Sequence, residues 1–385
     1  MWAFISLNAH DGRRCSGEMR LGLSACACFI QERNVGVITS CSAAARGAAS
    51  NPKNRFEVLE YVLEPCDEQG AGPRTVFLRD DSQTIITYNK SPDVGFDASI
   101  NVYRGCEHGC AYCFARPTHE YLGFSAGLDF ESKIVVKEHA PELLRAELSK
   151  QSWKPQVLAM SGVTDCYQPI ERRLGLTRRC LTVLAEFRNP VAIITKNHLV
   201  TRDKDLLAEL ARFNAAVVTI SVTTLNGELV KKLEPRTSSP SRRLAAIEEL
   251  TAAGVPVRVL MAPVIPGLTD HEMPSVLQAC AKAGARDAGF VPLRLPWAVA
   301  PLFEAWFDRH APEAKEKVLG RIRSMRGGKL YDSRWGIRLQ GEGFLAEQLS
   351  ELFRVAHRRA DFRQDIAPLS IASFRVPSAQ LSLFE

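Results

Sequence analysis

Three cysteines, Cys106, Cys110 and Cys113, fall within eight residues as C-x3-C-x2-C, in the run Tyr103-Arg104-Gly105-Cys106-Glu107-His108-Gly109-Cys110-Ala111-Tyr112-Cys113. Thiolates grouped this way are ligands for soft metals and iron–sulfur clusters. A cubane cluster takes four thiolates, and the next cysteine, Cys166, lies too far along to belong to the same short loop. The loop is one ligand short. An iron without a protein ligand is open to a small molecule, as a catalytic zinc keeps a position that a structural zinc closes. Gly105 and Gly109 allow the backbone angles that a wrapping loop needs. Two other uses of the triplet stay open on the residues alone. One is a structural zinc with His108 or His119 as fourth ligand. The other is a redox C-x-x-C of Cys110 and Cys113, against which the third cysteine of the loop argues.

The triplet, with Tyr112 just before its third cysteine, resembles that of the radical S-adenosylmethionine (SAM) superfamily. The wider run from Ser91-Pro92-Asp93-Val94-Gly95-Phe96-Asp97 through Ala115-Arg116-Pro117-Thr118-His119-Glu120-Tyr121 resembles the subgroup related to spore photoproduct lyase, the DNA repair photolyase-like proteins. The resemblance extends over residues 46–360. It implies that Cys106, Cys110 and Cys113 hold a [4Fe–4S] cluster and that SAM binds the open iron through its amino and carboxylate groups. One-electron reduction then cleaves SAM to methionine and a 5′-deoxyadenosyl radical, which abstracts hydrogen from a substrate. The electron comes from a reductant such as flavodoxin or ferredoxin. The subgroup suggests a lyase acting on a DNA lesion. A radical SAM enzyme acting on RNA, peptide or a small molecule, and a non-catalytic metal- or cluster-binding module, are the other readings.

These groups need elements to position them. From residue 97 onward, apolar strand-like runs at 134–136, 157–160, 191–195, 216–222, 255–261 and 288–293 alternate with amphipathic stretches at 141–150, 177–187, 203–213, 242–253 and 271–283. This predicts an α/β fold with a parallel sheet and helices outside. Asp203 and Asp270 stand where helices begin, and Gly254 and Gly284 where they end. The resemblance implies a partial TIM barrel, (β/α)6, with an N-terminal cap and a C-terminal helical extension. Short candidate strands at 56–63, 75–78 and 84–88 belong to the cap.

In such barrels the reactive groups gather at the C-terminal strand ends. The run 157–160 leads into Ser161-Gly162-Val163-Thr164-Asp165, a small-residue turn suited to close backbone approach. The subgroup's turn more often reads Gly-Gly-Asn-Thr-Asp-Pro, so Gly162, Thr164 and Asp165 are retained while Ser161, Val163 and Cys166 differ. The resemblance implies SAM contacts from Gly162, Thr164 and Asp165, and from Lys196, Ser221, Thr223 and Arg236. The competing readings are a solvent-facing Lys196 and hydroxyls that cap the next helix. The resemblance also implies that the segment after residue 261 packs on the adenine, with Val264 and Ile265 the leading candidates. Cys166 is a candidate hydrogen donor to a substrate radical, because spore photoproduct lyase uses a cysteine for that step. A small buried thiol is the competing reading.

Composition sets the remaining bounds. The chain's 385 residues suffice for one large α/β domain with an appendage. They divide into an N-terminal extension (1–50), a cap (51–96), the barrel (97–295), a helical extension (296–360) and a poorly ordered tail (361–385). No apolar run reaches the ~18 residues a membrane span requires. Eleven cysteines, an odd number, fit a reducing compartment, the cytoplasm, better than a disulfide framework. Asp11, Glu18 and Glu32 argue against a transit peptide, and Cys26-Ala27-Cys28 reads as incidental. The formal charge of +6 is concentrated at the C-terminal end, where residues 309–385 carry fourteen Lys+Arg against nine Asp+Glu. Such an excess suits nucleic-acid phosphates and equally suits solvated helices; no basic groove interleaved with aromatics is visible in the sequence. Gly327-Gly328 with Lys329, Tyr331 and Arg334 suggests a flexible lid over the barrel mouth.

Overall fold

The central strand runs are apolar on both faces, as a parallel sheet covered on each side requires. The computed structural model describes residues 46–56, 74–362 and 366–377. Its strands are β1 (Val76–Arg79), β2 (Ile86–Tyr88), β3 (Ala98–Ile100), β4 (Tyr103–Arg104), β5 (Lys133–Val136), β6 (Leu158–Met160), β7 (Val191–Thr195), β8 (Ala216–Ser221), β9 (Val257–Val264) and β10 (Asp287–Pro292). One sheet has the order β10-β9-β8-β7-β6-β3-β2. Within it β3, β6, β7, β8, β9 and β10 are parallel, and β2 pairs antiparallel with β3 at the edge. The two edge strands do not pair, so the barrel stays open. Six parallel strands with helices between them give the expected partial (β/α)6 arrangement.

One strand is not where the sequence pattern puts it. The run at 134–136 forms β5, which lies in a separate sheet of order β1-β5-β4, parallel to β1 and antiparallel to β4. The first barrel strand is β3, three fully buried residues aligned with β6. A strand this short has no readable period, and pairing with Leu158–Met160 is what defines it. The strand expected at 56–63 lies, beyond Phe56, outside the described residues, as do residues 1–45 with Cys26 and Cys28.

The helices pack as their apolar stripes direct. Leu181 and Leu184 of the helix Leu176–Phe187, Ile247 and Leu250 of Pro240–Ala252, and Val276 and Leu277 of Met273–Lys282 join Val191, Ile193, Val218 and Val257 in one core. Each such side chain contributes about 1.5–3 kcal/mol. Gly254 and Gly284 end helices with φ of 82° and 105°, as expected. Asp203 begins the helix Lys204–Ala211 without capping it by side chain. Its carboxylate is instead buried against Tyr167, Arg178 and Arg202, whose hydrogen bonds outcompete a cap. Asp270 likewise makes no cap of the following helix and pairs with Arg321.

The C-terminal helices Val299–His310 and Pro312–Ser324 back the cysteine loop. Phe303, Trp306, Phe307, Val318 and Ile322 form an apolar cluster with Cys110, Ala111 and Tyr112. The expected lid is pinned: buried Arg326 donates to the Leu293 carbonyl at 3.0 Å, and Arg338 pairs with Asp93 at 2.5 Å. Residues 366–377, expected to be poorly ordered, pack under the barrel through a Phe187–Phe374 ring contact and a 2.9 Å bond from the Arg375 N–H to the Phe187 carbonyl.

Residues 46–56 fasten onto the cysteine loop through Glu131. This fully buried carboxylate accepts from the Gly47 and Ala48 N–H groups at 3.0 and 2.7 Å and from Arg116 at 2.5 Å. The approach is close enough that a Cβ at Gly47 would lie 1.6 Å from the Gly109 carbonyl oxygen. Glu131→Ala leaves Arg116 buried without its carboxylate and two N–H groups unpaired. It should cost about 3–5 kcal/mol in urea unfolding, with Glu131→Gln costing less.

Candidate functional site

The C-terminal strand ends open on a cavity of about 280 Å3. Cys106, Cys110 and Cys113 line it together with Tyr112, Gly162, Asp165, Lys196 and Ser221. The turn after β4 presents the thiols: Gly105 and Gly109 adopt φ of 79° and 65°. The alternation of β7 buries Ile193, and Ile194 and Thr195 at its end line the cavity. At the β6 end, Ser161 has φ of 74°. It occupies the position where the subgroup's turn carries Gly, so the left-handed backbone persists without the residue that favours it. Its Oγ accepts from the Cys166 N–H at 2.8 Å.

A chain of hydrogen bonds forms the polar wall. Asp165 accepts from Thr195 Oγ1 and from the Lys196 N–H, both at 2.8 Å. Lys196 Nζ donates to Ser221 Oγ at 2.5 Å and to the Ala262 carbonyl at 2.9 Å. His108 Nδ1 lies 3.4 Å from Asp165 and Nε2 lies 3.1 Å from Asn197. Burial opposes its charge, but Asp165 and Cys106 prevail and push it up to about 10. The same contacts hold the Asp165 carboxyl below its usual value against the pull of burial. The apolar wall includes Phe96, Phe114 and Val163.

Behind the polar wall sits Glu234, fully buried. It accepts from Tyr112 and Arg243 and from Thr223 Oγ1 at 2.7 Å, with Lys196 Nζ at 3.8 Å. Burial alone would raise its pKa; Arg243 and then Lys196 reverse this and hold it at about 2.

The residues fit a cluster better than a single ion. His119, a candidate zinc ligand on sequence grounds, points Nε2 at the Lys133 carbonyl, 2.9 Å away. Among the described residues no three His, Cys, Asp or Glu side chains converge closely enough to hold one metal ion. Burial, reinforced by Glu234, raises the Cys110 thiol. Burial also raises Cys113, opposed by Arg116. Iron binding as thiolates therefore releases protons.

The remaining sequence candidates lie elsewhere. Thr164 is buried and donates to the Tyr103 carbonyl at 2.7 Å. Thr223 belongs to the Glu234 network. Arg236 pairs with Glu107 at 3.0 Å. Val264 and Ile265 are turned wholly into the core, and Ala262 and Pro263 are the residues of that segment at the cavity. Cys166 is buried in the main core, does not line the cavity, and has its thiol raised well above normal by burial. The sequence reading offered His108 only as a zinc ligand, not as the partner of Asp165, and missed Thr195, Glu234 and Arg294. Arg294 follows β10 directly, so the strand-end rule applied to that strand would have found it. Glu234 carries no such signal, because its burial depends on contacts distant in sequence.

Glu234 has a folded pKa below the usual 4.5, so its contribution is complete above that value and is lost as pH falls towards about 2. Replacement by Gln should lower stability at pH 7, and the gap from wild type should narrow as pH drops through this window. Acid unfolding curves of the two proteins measure it.

Comparison with known proteins agrees with this geometry. Residues 100–280 match the family described as Radical SAM superfamily. The uncharacterized protein Rv2578c of Mycobacterium tuberculosis is 39% identical over 230 residues, covering 58% of this chain and 68% of that one. The uncharacterized protein MJ0683 of Methanocaldococcus jannaschii is 34% identical over 173 residues, covering 45% and 62%. Among solved structures, spore photoproduct lyase complexed with dinucleoside spore photoproduct superposes with a TM-score of 0.55 at 16% identity, covering 74% of this chain and 79% of the other. A mutant of that enzyme with bound AdoMet and the same dinucleoside gives 0.54 at 17% identity. At these identities the likeness is one of fold. The family match over residues 100–280 makes this chain a member of the radical SAM superfamily, whose proteins bind a [4Fe–4S] cluster and SAM.

Proposed function

We propose that this radical SAM enzyme cleaves SAM reductively at a cluster held by Cys106, Cys110 and Cys113 and turns the resulting radical on a DNA lesion in a lyase-type reaction. The observation that carries the reading is that three thiols share one cavity with a hydrogen-bonded polar wall and an apolar wall. When bound, the cluster supplies the electron for SAM cleavage.

The chain's own groups then divide the remaining work. Lys196 Nζ has three donors, and Ser221 and the Ala262 carbonyl take two. The third is free for the SAM carboxylate. Asp165 holds the Lys196 backbone in place, and Glu234 fixes Tyr112 and Thr223 behind it. Ala262 and Pro263 take the role in facing adenine that the sequence suggested for Val264 and Ile265. Phe96, Phe114 and Val163 keep water from the reacting carbon. The DNA lesion is favoured because the structural neighbour is complexed with a dinucleoside photoproduct. The electron donor is a flavodoxin- or ferredoxin-type protein. No helix among the described residues is long and apolar enough to cross a membrane. Six cysteines there are free, which suits the reducing cytoplasm.

The test is anaerobic reconstitution with iron and sulfide, dithionite reduction, and chromatographic assay of 5′-deoxyadenosine after addition of SAM. Wild type should form it, and Cys113→Ala should lose at least about 100-fold of that rate. A fully loaded cluster with neither SAM cleavage nor a spectral response to SAM would overturn the proposal. Cys166→Ala, at a residue that does not line the cavity, should keep SAM cleavage within about twofold.

A further inference from the structure

Arg294 is more than nine-tenths buried, at 8% exposure, and lines the cavity. Its guanidinium lies 4.3 Å from the Phe114 ring. Among the described residues it has neither a hydrogen bond nor an ion-pair partner. A buried cation normally has one, because an unpaired buried charge costs several kcal/mol, on the order of 3–5. Of the acids nearby, Asp93 is committed to Arg338 and Cys113 is a cluster ligand in the proposed function. Neighbouring Arg326 spends its donors on backbone carbonyls. The missing partner is an anion that arrives with a ligand.

A series of rings leads outward from this point. Tyr331 neighbours Arg294, and its ring is 5.6 Å from that of Trp297. Trp297 is 51% exposed and has φ of 46°, a left-handed backbone that costs a bulky residue about 1–3 kcal/mol. Arg55, anchored by Glu120 at 2.6 Å, lays its guanidinium 4.3 Å from the Trp297 ring and 5.0 Å from Phe56. Phe56 stacks on Tyr121 at 4.9 Å, and the two rings are 55% and 61% exposed. Strain and exposure thus coincide on Trp297, where neither serves the core.

We propose that Arg294 receives a backbone phosphate of single-stranded nucleic acid, and that Trp297, Phe56 and Tyr121 stack the bases of the strand leading to it. Alternating guanidinium groups and exposed rings suit a ligand with a π-face and one anion per unit. An acidic peptide offers the anion without the faces. A base that reacts inside a cavity must also leave its own stack, and exposed rings at the mouth replace part of that loss. The inference rests on the proposed radical SAM reading, since it brings the strand to that same cavity.

The test is fluorescence anisotropy of labelled (dT)8 titrated with the full, cluster-loaded chain at several salt concentrations. 5′-Deoxyadenosine formation from SAM is measured on the same preparations. Arg294→Gln should weaken binding about tenfold and lower the salt slope by about 0.7, one phosphate's share. Trp297→Leu, at an exposed position where folding is not at risk, should weaken binding about tenfold with the slope unchanged. Arg294→Lys should keep the slope. Arg354→Gln, which removes an exposed charge paired with Glu351 on the helix Phe344–Ala360, should leave affinity within about twofold. Hexaglutamate should not compete. The proposal is overturned if Arg294→Gln and Trp297→Leu both bind within about twofold of wild type, or if hexaglutamate displaces (dT)8 as well as unlabelled (dT)8 does. Binding that depends on these residues in a protein that does not cleave SAM would support the strand site and count against the proposed reaction alone.

Discussion

The buried carboxylate of Glu234 ties the cysteine loop to two strand ends and a helix. Tyr112 comes from the cysteine loop, Thr223 from the end of β8, Lys196 from the end of β7 and Arg243 from the helix Pro240–Ala252. The Ala111 N–H donates to the Leu233 carbonyl at 2.9 Å, one residue away from this hub. A buried ion pair by itself adds little net stability, since desolvation offsets most of its attraction. Its effect here is geometric. Removing either charge strands the other, so the cysteine loop is held in one position relative to the strand ends.

The same economy governs the other face of the loop. Glu131 binds residues 47 and 48 and Arg116, and Arg116 donates to the Cys110 carbonyl at 2.8 Å. The loop is thus gripped from two sides by buried carboxylates, one facing the barrel and one facing the N-terminal segment. Apolar packing from Phe303, Trp306 and Phe307 completes its support. This leaves the three thiols lining the cavity. Asp165 plays a smaller version of the same part, tying His108 of the loop to Thr195 of β7 and to Lys196 just after it.

The mouth of the cavity is built differently. Its walls come from segments that follow β10 or the C-terminal helices, pinned by Arg326 and Arg338 and not free to swing. Arg326 donates to carbonyls and Arg338 pairs with Asp93, whereas Arg294 pairs with no acid among the described residues. That contrast among neighbouring arginines separates structural cations from one held ready for a ligand.

Residue types and spacing determined the local chemistry: a three-thiol loop, alternating strands and helices, and glycines at helix ends. These follow from short-range rules of ligand spacing, side-chain period and φ preference, all legible along the chain. The strand-end rule also picked out Gly162, Asp165, Lys196 and Ser221, which do line the cavity. It could not tell them from Thr164, Thr223, Val264 and Ile265, since one residue's step along a strand or turn reverses the direction of a side chain. Tertiary structure alone decided that β3 and not β5 opens the barrel, because a three-residue strand is defined by its partner. It alone gathered Arg55, Phe56, Tyr121, Trp297 and Arg294, which are separated by up to 242 positions, into one surface. Partners that distant leave no period in the sequence, and only folding brings their charges and rings together.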